Sequence, residues 1–328
     1  MTETAERKAL TREQLLSAYR TMRAIREFEE RVHAEFATGE IPGFVHLYAG
    51  EEASAAGVCG NLDDRDTIAS THRGHGHCIA KGVDIGEMMA EIYGRRTGSC
   101  HGKGGSMHIA DLSKGMLGAN GIVGGGPPLI CGTALAAKIK GTGGVGVAFF
   151  GDGASNQGTT LEAMNLASVW NLPAIFVAEN NGYAETTSSS WSVASDNIAD
   201  RAAGFGMPGV IVDGFDFFAV HEAASEAIAR AREGGGPTLL EMKFTRYFGH
   251  FEGDQQTYRA GEVEHARAEL DCLKRFAARA TETGELTRSD LDAIDAEVAT
   301  RIDRAVTEAR AAPLPAEADL LTDVYVRY

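Results

Sequence analysis

The sequence predicts an α/β fold: a doubly wound, mostly parallel sheet with helices on both faces and extra N- and C-terminal helices. Three observations predict it. Two uninterrupted apolar runs, VGVAFF over 145–150 and AIFVAE over 174–179, are separated by a helix-length stretch over 157–170. Such strands without polar alternation belong to sheets covered on both faces, and strand, helix, strand is the βαβ unit of a parallel sheet. Further strands over 210–212 and 238–244 flank a helical stretch over 219–232, so the alternation continues. Both ends of the chain, by contrast, show helical periodicity.

In chain order, Thr11 and Gln14 have capping-box spacing. Leu15, Tyr19, Met22, Ile25, Val32 and Phe36 follow at helical intervals, which predicts a helix over 11–37. A loop over 39–50 leads to a short helix of small residues over 52–59. The chain holds 40 glycines, well above the usual share of about 7%. They crowd between Gly94 and Gly158, and the stretch over 94–126 is too rich in them for regular structure. A loop that long inside a folded domain is usually functional, so ligand is expected beside it. A helix over 133–140 precedes the first apolar strand. The region over 260–312 reads as helical: Thr287 and Asp290 have capping spacing before the stripe Leu291, Ile294, Val298, Ile302 and Val306. The tail AAPLPAEADLLTDVYV is expected to lie across a surface or a partner. With no repeat and no flexible linker, residues 1–328 read as one domain.

Composition excludes several classes. A chain of 328 residues buries about 75% of its unfolded surface and needs no staples. Its 44% hydrophobic and 23% charged residues are ordinary globular values. No apolar run approaches the roughly 20 residues of a membrane span, and the start MTETAERKAL lacks a signal's apolar stretch, so a cytoplasmic chain is expected. With 31 basic against 46 acidic residues, the net charge of −15 opposes nucleic acid and anionic membranes. Cys59, Cys78, Cys100, Cys131 and Cys272 are odd in number and widely spaced, which fits reduced thiols.

The chemistry is expected at Asp152. It lies in a GDG turn after an apolar strand, at the carboxyl edge where open α/β sheets place ligands. Asn181 follows 29 residues later, one βαβ unit on, so adjacent strand ends bring a carboxylate and an amide oxygen together. Asp152, Asn181 and a backbone carbonyl near Tyr183, with a diphosphate and water, would satisfy magnesium's preference for oxygen. Gly153 and Ala154 let backbone amides approach a phosphate at the following helix start. GDG alone is a common turn, with its Asp an N-cap; the coupled pattern with ENN at 179–181 is far more specific.

That pattern resembles the thiamin diphosphate signature. Nearly the whole chain is similar to alpha subunits of the thiamin diphosphate-dependent decarboxylating component of 2-oxo acid dehydrogenase complexes, the acetoin dehydrogenases most of all. His46-Leu47-Tyr48 with Gly50-Glu51-Glu52-Ala53 resembles the family's HLYxGxEA segment, and His72-Arg73-Gly74-His75-Gly76 its phosphate-binding segment. The resemblance implies that Arg73 neutralises the diphosphate, with His72 standing where many relatives carry Tyr. From the GKGGSMH and NGIVG landmarks it implies that Gly121 and Val123 hold the aminopyrimidine through backbone, with Ile122 or Val123 as apolar support. Gly124-Gly125-Gly126 replaces the GAQ of many pyruvate-type relatives. By the same resemblance Arg246 binds phosphate and His250 points into the site, where it handles protons, with His46 a second candidate.

The resemblance further implies a thiamin diphosphate-binding fold and a cofactor that supplies the carbon nucleophile while protein supplies position and protonation. It implies an activating Glu from a separate beta subunit, since no carboxylate of this chain suggests itself for that role. The expected activity is cleavage of acetoin, or decarboxylation of pyruvate or a branched-chain 2-oxo acid, with the acyl fragment passed to the lipoyl group of an acyltransferase partner. A transketolase-like half-enzyme is the alternative, and a heterotetramer the expected assembly.

Overall fold

The computed structural model describes residues 9–259 and 261–325; the polar start over 1–8, residue 260 and the tail's Val326 lie outside them. Helix α1, Arg12–Phe36, opens on the expected capping box: Thr11 Oγ1 accepts from the Gln14 amide, and Gln14 Oε1 accepts the Thr11 N–H at 2.9 Å. Its stripe Leu15, Tyr19, Met22, Ile25 and Val32 is buried. The remaining elements are α2 (Glu52–Cys59), β1 (Thr67–Ala69), α3 (His75–Lys81), α4 (Ile85–Ile92), α5 (Gly126–Lys140), β2 (Gly146–Gly151), α6 (Gly158–Val169) and β3 (Ala174–Asn180). A small hairpin follows, β4 (Tyr183–Ala184) and β5 (Thr187–Ser188), then α7 (Ser189–Ser192), β6 (Gly209–Asp213), α8 (Phe217–Arg232) and β7 (Thr238–Lys243). The chain ends in α9 (Glu262–His265), α10 (Cys272–Glu282) and α11 (Arg288–Ala311).

The main sheet has five strands, all parallel, in the order β1-β2-β3-β7-β6. Successive residues of each strand point to opposite faces, and both faces are covered. Val147, Phe149, Ile175, Val177, Leu240 and Met242 join one apolar cluster, which also holds α1, α4, α8 and α11 side chains. Ala148, Phe150, Phe176, Ala178 and Leu239 join the other, under α5 and α6. This is why the strands read as uninterrupted apolar runs. All five strands run the same way, so the chain leaves β2, β3 and β7 at one edge, and the cleft lies there.

Several elements differ from expectation. The helix expected over 133–140 begins at Gly126, because Pro127 and Pro128 stand in its first turn, where their fixed φ suits a helix. Strand β1 is three residues long, too short to show a period, and α3 and α4 lie outside the predicted elements, whereas α10 and α11 fall in the region expected to be helical. The stretch over 94–126 is irregular up to α5 apart from two 3₁₀ turns at Ser106–His108 and Leu112–Lys114. The tail crosses the loop after α4: the Arg96 N–H donates to the Pro313 carbonyl at 2.9 Å, and Lys103 holds Thr322 and Asp323. Among the described residues no helix is long and apolar enough to cross a membrane, and all five cysteines are free thiols.

Candidate active site

Asp152 follows β2 and Asn181 follows β3. These strands pair in parallel register from Gly146 with Ala174 to Gly151 with Glu179, which brings the two strand ends side by side. Both residues line one cleft, together with His72, Arg73, Tyr183 and His250. Asp152 is only 2% exposed, and its Oδ2 is buried with no hydrogen-bond partner among the described residues. Burial pushes its carboxyl up to about 6 against the pull of Arg246 and Arg73. Gly153 leaves no room for a side chain: a Cβ there would meet the Ala184 Cβ at 2.6 Å, so hairpin β4-β5 packs directly on the turn.

Asn181 is held from both sides. Its Nδ2 donates to Glu51 Oε1 at 2.9 Å, which fixes the amide so that Oδ1 faces the other way. That oxygen accepts from Arg246 Nη1 at 3.1 Å, and the Tyr183 carbonyl accepts from the same nitrogen at 2.9 Å. A cationic nitrogen therefore touches two of the three oxygens assigned to magnesium from the sequence. Arg246 is fully buried and does not line the cleft; its Nη2 donates to the Glu185 carbonyl and the Tyr258 hydroxyl. Of the two arginines expected at phosphate, Arg73 lines the cleft, where it donates to the carbonyls of Leu47 and His250, and Arg246 does not.

His46, His72 and His250 come together from three loops. Their ring centroids are 4.6 Å apart for His46 and His72, and 5.2 Å for each of the other pairs. His72 and His250 line the cleft, with His46 behind them. Burial, then the Arg73 charge, pushes His46 down to about 3 and His250 to about 4, and lowers His72 as well. All three are neutral imidazoles near pH 7. Asp254 accepts the His250 backbone N–H at 2.7 Å and the Tyr258 hydroxyl at 2.6 Å, tying this loop to Arg246 through Tyr258.

Ile122 and Val123 form part of the cleft wall but remain 71% and 48% exposed, so neither is core filler. Gly121 lies off this wall; a Cβ there would face His108 Nε2 at 3.5 Å. Two buried carboxylates of the cleft were not singled out from sequence. Glu51 is pushed well above the usual carboxylate range by burial. Glu179 accepts from the Tyr48 hydroxyl, from Ser54 Oγ at 2.8 Å and from His77 Nε2 at 3.0 Å. The signal for Glu179 was present: a lone acid closing an otherwise apolar strand.

Hard oxygens, a buried guanidinium bonded to two of them and three neutral imidazoles thus meet at one cleft. The model of the dehydrogenase E1 component family matches residues 20–317. The chain belongs to the dehydrogenase E1 component family. Among its relatives, the alpha subunit of an acetoin:2,6-dichlorophenolindophenol oxidoreductase from Cupriavidus necator is 67% identical over 97% of this chain and 96% of that protein. The subunit of the same name from Bacillus subtilis is 58% identical over 98% and 96%. A pyruvate dehydrogenase E1 component subunit alpha from Zymomonas mobilis is 44% identical over 96% and 89%. In this E1 chain the cleft therefore lies wholly within the matched residues.

Proposed function

We propose that this E1 chain is the alpha subunit of a thiamin diphosphate- and magnesium-dependent dehydrogenase that cleaves acetoin and passes the acyl fragment to a lipoyl group. The observation that carries the reading is the unpartnered, buried Asp152 Oδ2 in a cleft shared with Asn181 Oδ1 and the Tyr183 carbonyl. A carboxylate removed from water without a partner is costly, and a hard dication is the partner it fits. These three oxygens would hold magnesium, and Arg73 with the backbone of Gly153 and Ala154 would hold the diphosphate. Gly121, Ile122 and Val123 would carry the pyrimidine end.

When bound, thiamin diphosphate supplies the carbon nucleophile and electron sink. The chain's own residues do the rest. Glu51 orients the Asn181 amide, Arg246 locks the Tyr183 and Glu185 backbone in place, and Ile122 with Val123 shields the cleft mouth. His250, and His46 behind it, hold and move protons through neutral ring nitrogens. The carboxylates Glu51 and Glu179 are engaged by Asn181 and by Tyr48, Ser54 and His77. The reading therefore assigns the activating Glu to a beta subunit, in a cytoplasmic heterotetramer in which residues 1–328 form one domain.

Acetoin leads because the two acetoin relatives are more similar than the pyruvate one, and because Gly124-Gly125-Gly126 departs from GAQ. The test is turnover with an artificial electron acceptor, by this chain with and without a beta subunit, on acetoin and pyruvate in parallel. The expected result is activity only in the mixture, dependent on thiamin diphosphate and magnesium, higher with acetoin, and lost with Asp152→Ala or Asn181→Ala. Activity of this chain alone would overturn the two-subunit site, and higher turnover with pyruvate would reassign the substrate.

A further inference from the structure

His46, His72 and His250 each offer a ring nitrogen, and these atoms lie within 4.8 Å of one another. Among the described residues this is the one group of three potential metal ligands placed so closely. The three rings touch edge to face or tilted, and His46 Nδ1 is buried with no hydrogen-bond partner. We propose that these three histidines form a binding site for a borderline transition-metal ion, zinc foremost, separate from the oxygen site at Asp152.

The chemistry of the donors argues for it. Zinc takes imidazole nitrogens at about 2.0–2.1 Å in a tetrahedral shell, which places the nitrogens about 3.4 Å apart. The nitrogens now spread over as much as 4.8 Å, so a bound ion has to draw them together by about 1.4 Å at most. Three imidazoles leave a fourth position, and since His72 and His250 line the cleft it opens there for water or an anion. Metal binding requires the neutral ring, the form in which burial and Arg73 already hold all three. Magnesium has no affinity for such a set, whereas Asp152, Asn181 and the Tyr183 carbonyl offer only oxygen. The cleft thus sorts two metals by hardness. Arg73 and Arg246 oppose a dication, which keeps the affinity below that of structural zinc sites and favours an anion as fourth ligand. The functional consequence rests on the reading above: an ion here occupies His46 and His250, the proposed proton-handling groups, and inhibits reversibly.

Cobalt(II) titrated into the purified full chain, without cofactor or beta subunit, tests the binding directly. One equivalent should give the intense visible bands of tetrahedral cobalt without thiolate charge transfer, displaced by zinc but not by a large excess of magnesium. His72→Phe and His46→Gln should each abolish those bands, and Asp152→Ala should retain them. Bands absent at millimolar cobalt, unchanged in both histidine variants, or removed by magnesium would overturn the site. If both variants fail to fold, copper(II) bound to the wild-type chain decides: a paramagnetic spectrum with imidazole nitrogen couplings supports the site, and one without them sinks it. Because neither cofactor nor partner is present, a negative result leaves the proposed function standing, and failure of the turnover test leaves the metal site standing.

Discussion

At Asp152 stability and function pull in opposite directions. The chain buries a carboxylate whose Oδ2 meets no donor, and an ionised group so placed costs free energy until a cation arrives. Asp152→Asn keeps the shape and removes the charge. The cofactor-free variant is expected to melt at least as high as wild type, by about 2 °C if 1 kcal/mol is recovered. Its affinity for manganese(II) with thiamin diphosphate should fall by more than tenfold, about 1.4 kcal/mol. Paired thermal melts and calorimetric titrations check this; a lower melting temperature with undiminished affinity would show that Asp152 is a structural cap instead. Gly76 poses a simpler case. A Cβ there would fall 2.2 Å from the Tyr48 ring, whose hydroxyl donates to Glu179. Gly76→Ala should push Tyr48 off Glu179 and destabilise by about 1–3 kcal/mol, read from urea unfolding with and without the substitution.

Among the elements, the glycine-rich loop after α4 shows how a segment without regular structure is nonetheless ordered. Glu91, fully buried on α4, accepts four backbone N–H groups: Cys100 and Gly102 at 2.8 Å each, Gly104 at 2.7 Å and Gly105 at 3.0 Å. One carboxylate does here what a ladder does in a strand. Glu91→Gln replaces an acceptor oxygen by an amide that points N–H at N–H, so about 2–3 kcal/mol should be lost. Amide exchange over 98–105 should quicken while the core of α11 keeps its protection; equal loosening in both would mean that Glu91 holds up the whole core. This dependence on a single side chain outside the loop, 9 to 14 residues ahead of the amides it binds, is also why the loop was illegible from sequence beyond its glycine content. The apolar strands and both capping boxes were legible, because their signals are local and repeat at the period of the element. The start of α5 was hidden by the three glycines ahead of Pro127. The strand ends at Asp152 and Asn181 could be placed, since parallel pairing follows from the βαβ unit. The direction of Arg246 could not, because it depends on Tyr183 and Glu185, 63 and 61 residues away, as well as on Tyr258.

On the scale of the whole molecule, the two ends of the chain are joined through one buried ion cluster. Arg26 of α1 donates to Glu52 of α2 at 2.5 Å and to Asp271, the N-cap of α10, at 2.8 Å, and the Tyr247 hydroxyl donates to the same Asp271 oxygen at 3.1 Å. Burial by itself would raise the Asp271 carboxyl, but the charge and hydrogen bonds of Arg26 win and hold it below the usual range. A carboxyl depressed in the folded state contributes stability above its unfolded pKa of about 3.9, lost as pH falls through the lower folded value. The wild-type chain should therefore gain nothing from this group between pH 7 and about pH 5. Arg26→Met reverses the sign. It leaves Glu52 and Asp271 buried without their cation, a loss of about 3–5 kcal/mol at neutral pH. Burial then raises the Asp271 carboxyl above its unfolded value, so the penalty shrinks as protons are added. The variant should melt higher at about pH 5 than at pH 7, while wild type does not. Thermal melts of both proteins at the two pH values separate the cases: a variant that melts no higher in mild acid would mean that water, admitted by the shorter side chain, had solvated Asp271 and that the cluster joins the ends by packing rather than by charge.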